Sequence, residues 1–135
     1  MSDVFILDTS ILVDDLRTGR PGEKIESISG LFRTSAVVLA ELWRGATKSS
    51  ERDFLNALSR RYPILTPTEK NWLESGSILE KIRSERGFAP EKLRDLHFDV
   101  LIALTARSCG ARLITMNARD FQLIHGYRRF KLEVW

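Results

Sequence analysis

Short apolar runs alternate with longer amphipathic ones along this chain, and the pattern predicts its elements. Val4 to Leu7 is a continuous apolar run, read as a buried strand. "SILVDDLRTGRPG" reads as a short helix or turn ending in a Gly/Pro loop at Gly19 to Gly22. A helix over Glu23 to Gly30 and a second strand, "LFRTS", follow. Ser35 is a natural N-cap for the apolar helix "AVVLAELWRGA", which ends near Gly45. Another helix begins near Ser50, and "YPIL" is a third strand. In "TPTEKNWLESGSILEKIRSER", Thr66 reads as the cap, Pro67 as the first helical residue and Glu69 as the capping-box partner. "DLHFDVLIALTARSCG" reads as a helix closed by Gly110, and "ARLIT" as the next strand. Asn117 to Phe121 reads as a loop and "FKLEV" as a last strand.

Strands separated by helices imply crossover connections. The expected fold is therefore an α/β/α three-layer sandwich with a short, mostly parallel sheet, built as one domain over residues 1–135. No internal repeat or interdomain linker interrupts it. In an open parallel sheet, ligands bind beyond the C-terminal ends of the strands. Asp8 ends the first strand, Asn117 and Asp120 lie just past "RLIT", and Asp99 falls in the first turn of the helix leading into that strand. Topology thus lets these groups reach one sheet edge.

Each acid has an ordinary reading when taken alone. Asp8 can cap the following turn. Asp99 can complement a helix's positive end, a contribution of about 0.3–1 kcal/mol. Glu41 can pair with Arg44 three residues on, although its neighbours Val37 and Val38 argue for a costly, part-buried carboxylate. Asp120 can belong to ordinary loop chemistry. Together the acids say more. Several carboxylates converging on one edge repel one another unless cations hold them. With oxygen ligands and few histidines, Mg²⁺ or Mn²⁺ suits better than Zn²⁺. His97 and His125 lack zinc-site spacing and read as surface or packing residues, although His97, two residues before Asp99, is near enough to touch a substrate.

Composition narrows the classes without selecting one. The chain has 135 residues, 43% hydrophobic and 29% charged, with 21 basic against 18 acidic side chains and a net charge of +3. That is compatible with a polyanionic partner but does not establish one. The lone Cys109 cannot form an internal disulfide, which fits a reducing compartment. No apolar run approaches a membrane span and no signal-peptide pattern opens the chain, so a cytoplasmic location without a membrane role is expected. There is no Walker-type phosphate loop and no Gly-x-Ser-x-Gly elbow. Acids with a divalent ion and no cofactor motif point to hydrolysis at phosphorus.

Four stretches now carry a resemblance that spans Val4 to the C-terminus: "ILDTSILVD", "SAVVLAELWRGA", "FDVLIALTARSCGARLITMNARDF" and "LEVW". Their Asp-Thr-Ser, Glu-Leu-x-x-Gly, Asp-x-Leu-Ile-Ala and Thr-x-Asn-x-x-Asp-Phe patterns resemble PIN domains, specifically the short toxins of the VapBC toxin–antitoxin class. The resemblance implies a Mg²⁺- or Mn²⁺-dependent endoribonuclease that leaves a 5′-phosphate and a 3′-hydroxyl. It implies a homodimer and a cognate antitoxin whose tail lies across a groove and sends an arginine into the acidic site. Carried over residue by residue, Asp8, Glu41 and Asp99 match the metal-binding acids, and the fourth catalytic position falls to Asn117 or to Asp120. Ser10 and Thr115 match hydroxyls that hydrogen-bond such acids. Arg17, Arg20, Arg44 and Arg119 are candidate RNA contacts by proximity, and Trp43 and Trp72 read as core or interface residues. Two other readings stand beside this one. One is an inactive PIN domain serving as an RNA-binding or scaffold module, which loss of one of the first three acids would favour. The other is a haloacid-dehalogenase-like phosphatase, which would want an acid where Ser10 stands.

Overall fold

The computed structural model describes residues 3–135. In chain order the elements are β1 (Val4–Leu7), α1 (Thr9–Thr18), α2 (Gly22–Glu26), β2 (Leu31–Ser35), α3 (Ala36–Gly45) and α4 (Ser49–Arg61). Then come β3 (Ile64–Leu65), α5 (Glu69–Arg86), α6 (Pro90–Ser108), β4 (Arg112–Thr115), α7 (Ala118–Tyr127) and β5 (Lys131–Val134). The strands form one five-stranded sheet in the order β3-β2-β1-β4-β5, and every pairing is parallel. Successive β1 residues serve opposite faces, as the two-residue strand period requires. Ile6 joins the large core with Val38, Ile82, Leu101 and Leu113, whereas Phe5 packs with Ile11 and Ile114. Helices α3, α5, α6 and α7 supply the first face; Ile25, Ile28 and Trp135 help to cover the second. The result is the expected α/β/α sandwich. Among the described residues no helix is long and apolar enough to cross a membrane.

Register explains the position of the edge. Leu7 pairs with Ile114, so Asp8 comes level with Thr115 at the C-terminal ends of β1 and β4. The chain builds outward from β1 through β2 to β3, then returns to the other side of β1 with β4 and β5. The gap between β1 and β4 is therefore a topological switch point, where a crevice opens because neighbouring connections leave in opposite directions.

Ser35 caps α3 as expected, its hydroxyl accepting from the amides of Val37 and Val38 at 3.1 and 3.3 Å. Four expectations are corrected. Helix α5 is capped by Thr68 rather than Thr66: the Thr68 hydroxyl accepts from the Asn71 amide, and the Asn71 side chain accepts from the Thr68 amide, both at 3.0 Å. Asn71 also donates to Ser108 of α6 at 3.0 Å, a tertiary anchor that fixes this choice of cap. Helix α6 begins at Pro90, not near Asp95, with the proline in the first turn where its missing N–H costs nothing. Asp99 thus lies mid-helix. The stretch after Asn117 is not a loop: Asn117 caps α7, accepting from the Asp120 amide. Helix α2 is also shorter than expected, ending at Glu26.

Gly30 is required by close approach. A Cβ there would stand 2.5 Å from Phe5 Cε2 and 2.8 Å from the Asp3 carbonyl oxygen. Gly30→Ala is expected to cost about 1–3 kcal/mol, because a core ring or the β1 backbone must shift. A thermal melt within 1 °C of the wild type would refute this.

Candidate active site

Asp8 occupies the N-cap position of α1, yet its side chain makes no capping bond. Its carboxylate is 4% exposed and is held from elsewhere. Ser10 donates to Asp8 Oδ2 at 2.9 Å, and Thr115 donates to the same oxygen at 2.7 Å across the β1–β4 gap. Each hydroxyl is itself fixed by the backbone: Ser10 accepts from the Met116 amide at 3.0 Å and Thr115 from the Asn117 amide at 2.9 Å. The ordinary capping role for Asp8 is therefore not the one its side chain performs.

Glu41 projects from the second turn of α3, and Thr9 Oγ1 donates to its Oε1 at 2.9 Å. Burial raises its pKa above the usual carboxylate value; the Thr9 bond and the Arg44 charge oppose that, while Asp8 adds to it. Asp99 is the most perturbed. Burial first, then the charges of Asp8, Glu41 and Asp120, push its pKa up from 3.8 to about 8, with Lys92 acting the other way. No hydrogen bond contributes to holding its charged form.

Asp8, Glu41 and Asp99 line one cavity of ≈350 Å³ together with Ser10, Arg44 and Asn117. Asn117 stands at the rim, but its side chain is engaged: Oδ1 caps α7 and Nδ2 donates to Asp120 Oδ2 at 3.3 Å. Asp120, besides receiving that bond, accepts from Lys92 at 2.9 Å. Both contenders for the fourth position are thus near the acids, and they are bonded to each other. The cavity also contains Asp95, which the sequence reading did not single out. Asp95 and Asp99 share an α6 face at i,i+4 spacing, the signal that could have found it. Thr9, quoted with the first motif but given no role, emerges as the partner of Glu41.

Among the arginines proposed as RNA contacts, Arg44 lines the cavity and lies over the Phe98 ring at 5.5 Å. Arg17 lines a neighbouring pocket with Glu41, Arg20 pairs with Asp14 at 2.7 Å, and Arg119 is exposed on α7. His97 meets Ser75 at 3.0 Å and the Trp72 ring edge-on, a packing role, and burial lowers its pKa. His125 packs edge-on against Phe130. Trp43 and Trp72 are not core residues: they are 40% and 50% exposed. The apolar residues Val37, Val38 and Leu39, which share α3 with Trp43, are instead spent on the chain's own core.

The donor set tests whether a divalent cation fits. Four carboxylates, Asp8, Glu41, Asp95 and Asp99, line one cavity, all of them hard oxygen donors, and the charges of Asp8 and Glu41 help to raise the pKa of Asp99; a small hard cation relieves that repulsion. As they stand, the acids surround the cavity rather than a point, and among the described residues no three acidic, imidazole or thiol groups already converge as a closed ligand cage.

Comparison with known proteins supplies an independent line. The family model of the PIN domain matches residues 5–126. The chain is similar in structure to VapBC2 from Rickettsia felis bound to a promoter DNA fragment, at TM-score 0.71 and 23% identity over 98% of each chain. It is similar to a toxin–antitoxin complex from Klebsiella pneumoniae, at TM-score 0.60 and 27% identity, covering 89% of this chain and 90% of that one. A third likeness is to FitAB bound to an IR36 DNA fragment, at TM-score 0.68 and 16% identity over 96% and 94% of the two chains. Among curated proteins, no sequence matches.

Proposed function

Because the chain belongs to the PIN domain family, we propose that it is the toxin of a type II toxin–antitoxin pair, a Mg²⁺- or Mn²⁺-dependent endoribonuclease working in the cytoplasm. The observation that carries this reading is the electrostatic coupling of Asp8, Glu41 and Asp99, brought from three separate elements into one cavity at the sheet's switch point. Asp8, Asp99 and Glu41 would hold the cation. When bound, it supplies Lewis acidity toward a phosphoryl oxygen and toward the attacking water. Ser10 and Thr115 keep Asp8 in one orientation, and Thr9 does the same for Glu41. Arg44, its guanidinium steadied over Phe98, binds an RNA phosphate at the cavity mouth. Asn117 fixes the start of α7 and with it the position of Asp120.

The partner assignment draws support from the Klebsiella pneumoniae structure, a toxin–antitoxin complex. An apolar groove of ≈290 Å³, lined by Leu12, Ile25, Phe54, Leu58 and Tyr62, offers the antitoxin tail a seat. A second pocket, sharing Phe54, runs on to Glu41, the route for an inhibitory arginine. Exposed Trp72 and Leu73 on α5 supply apolar surface for a homodimer. A strict monomer over a wide concentration range in sedimentation would remove that last assignment.

The deciding experiment is cleavage of RNA pools by antitoxin-free protein with Mg²⁺, with Mn²⁺ and with EDTA. Internal cuts that need the metal and disappear with EDTA are expected. RNA bound but left intact under all three conditions would favour the binding-module reading instead.

A further inference from the structure

Lys92 has no part in the chemistry above, yet it stands beside it. It lies in α6 seven residues before Asp99 and three before Asp95, so one helix face presents an ammonium and two carboxylates in succession. Its Nζ donates to Asp120 Oδ1 at 2.9 Å, joining α6 to the first turn of α7. Asn117 Nδ2 occupies the other oxygen of the same carboxylate at 3.3 Å. Both oxygens of Asp120 are therefore engaged by protein donors, and its side chain is only 17% exposed. Asp99 differs: it is drawn toward its charged form by the Lys92 charge and by no hydrogen bond.

We propose that Lys92 is a resident counter-cation for Asp120, which keeps that carboxylate out of metal coordination and limits the site to one divalent ion held by Asp8, Glu41 and Asp99. The proposal rests on the metal-site reading given above. A two-ion site places its metals about 3.5–4 Å apart and needs carboxylates on both sides. Beyond those three acids the neighbourhood offers Asp95, which shares the α6 side with Asp99, and Asp120, the acid that α7 brings to the opposite side, whose negative charge is already balanced by an ammonium fixed in the fold. To ligate, Asp120 would bring a divalent cation close to the Lys92 ammonium that stands 2.9 Å from its oxygen, a like-charge approach that weakens binding of a second ion. The single-ion preference is thus built into a protein–protein contact and does not depend on the identity of the metal.

The test is the stoichiometry of Mn²⁺ binding, read by calorimetric titration of antitoxin-free protein, with electron paramagnetic resonance reporting on coupling between neighbouring ions. Wild type and Lys92→Arg are expected to bind one Mn²⁺ per chain. Lys92→Met and Lys92→Gln, which remove the charge at a partly exposed position, are expected to bind two and to show Mn²⁺–Mn²⁺ coupling. Two ions in the wild type, or one ion in both uncharged variants, would overturn the role given to Lys92. Asp8→Asn separates the two levels of inference, since it should weaken Mn²⁺ binding by roughly tenfold or more. If Asp8→Asn instead binds like the wild type, the metal-site reading falls and this proposal falls with it. If Asp8→Asn weakens binding while the uncharged variants stay at one ion, only the proposal fails.

Discussion

Asp8→Asn is expected to lower RNA cleavage by about 10²–10³-fold or more while leaving the protein folded. The substitution keeps the side chain's size and one oxygen able to accept from Ser10 and Thr115, so the β1–β4 gap stays bridged. What it removes is charge, at the one acid that perturbs both Glu41 and Asp99. Relief of that repulsion makes the variant as stable as the wild type or more so. Activity and stability therefore part company, which a merely structural role for Asp8 would not produce. Steady cleavage assays beside a thermal melt read both quantities. Cleavage within threefold of the wild type, or loss of activity accompanied by unfolding, would count against Asp8 as a metal ligand.

The second large effect is a dependence of stability on pH centred on Asp99. Its folded-state pKa of about 8 lies above the ordinary carboxylate value of 3.8. Between those limits the unfolded chain releases the proton and the folded chain keeps it. Stability of the metal-free protein therefore falls as pH rises from about 4 to about 8, then levels off. Because the carboxylate is not fully enclosed, solvent screening reduces the penalty to about 2–4 kcal/mol at pH 8. Asp99→Asn is uncharged throughout and is expected to melt about 5–10 °C above the wild type at pH 8 without metal, and close to it near pH 4. Mg²⁺ should narrow the gap at pH 8 by stabilising the wild type, and metal binding near pH 7 should release up to one proton, measurable by titration in buffers of different ionisation enthalpy. Equal melting temperatures at pH 8 would show that Asp99 does not carry this burden.

Much of this arrangement can be read from the residues, and the gaps have physical causes. Buried strands announce themselves as apolar runs, and the all-parallel order follows from their separation by helices, so the common edge for Asp8, Asp99 and Asn117 was legible. Helix starts were harder. Thr66 and Thr68 both offer a hydroxyl ahead of polar residues, and the choice depends on Asn71 reaching Ser108, a contact 37 residues away in the chain. Starting α6 near Asp95 rather than at Pro90 put Asp99 in a first turn and left Lys92 outside the helix. The i,i+7 relation between them could not be seen until the earlier turn was restored. Reading residues 117–121 as a loop similarly hid the capping role that ties Asn117 to Asp120. The hydroxyl of Thr9 faces Glu41 only because α1 packs on α3, which no local pattern states.

The pairing of β1 with β4 also sets a timetable. The hydroxyl of Thr115 that fixes the Asp8 carboxylate comes 107 residues after it in the chain. Beyond it, the Trp135 amide closes onto the Thr115 carbonyl at 2.8 Å, so the strand carrying that hydroxyl is itself secured from the last residue of the sequence. Contacts this distant in sequence form late, because loop closure precedes any reward from pairing. A nascent chain can therefore complete β1, β2 and the helices between them while its acids remain scattered. The charge of the site is thus concentrated only as β4 docks against β1, so the repulsion among the acids falls on a late step of folding rather than on the early elements.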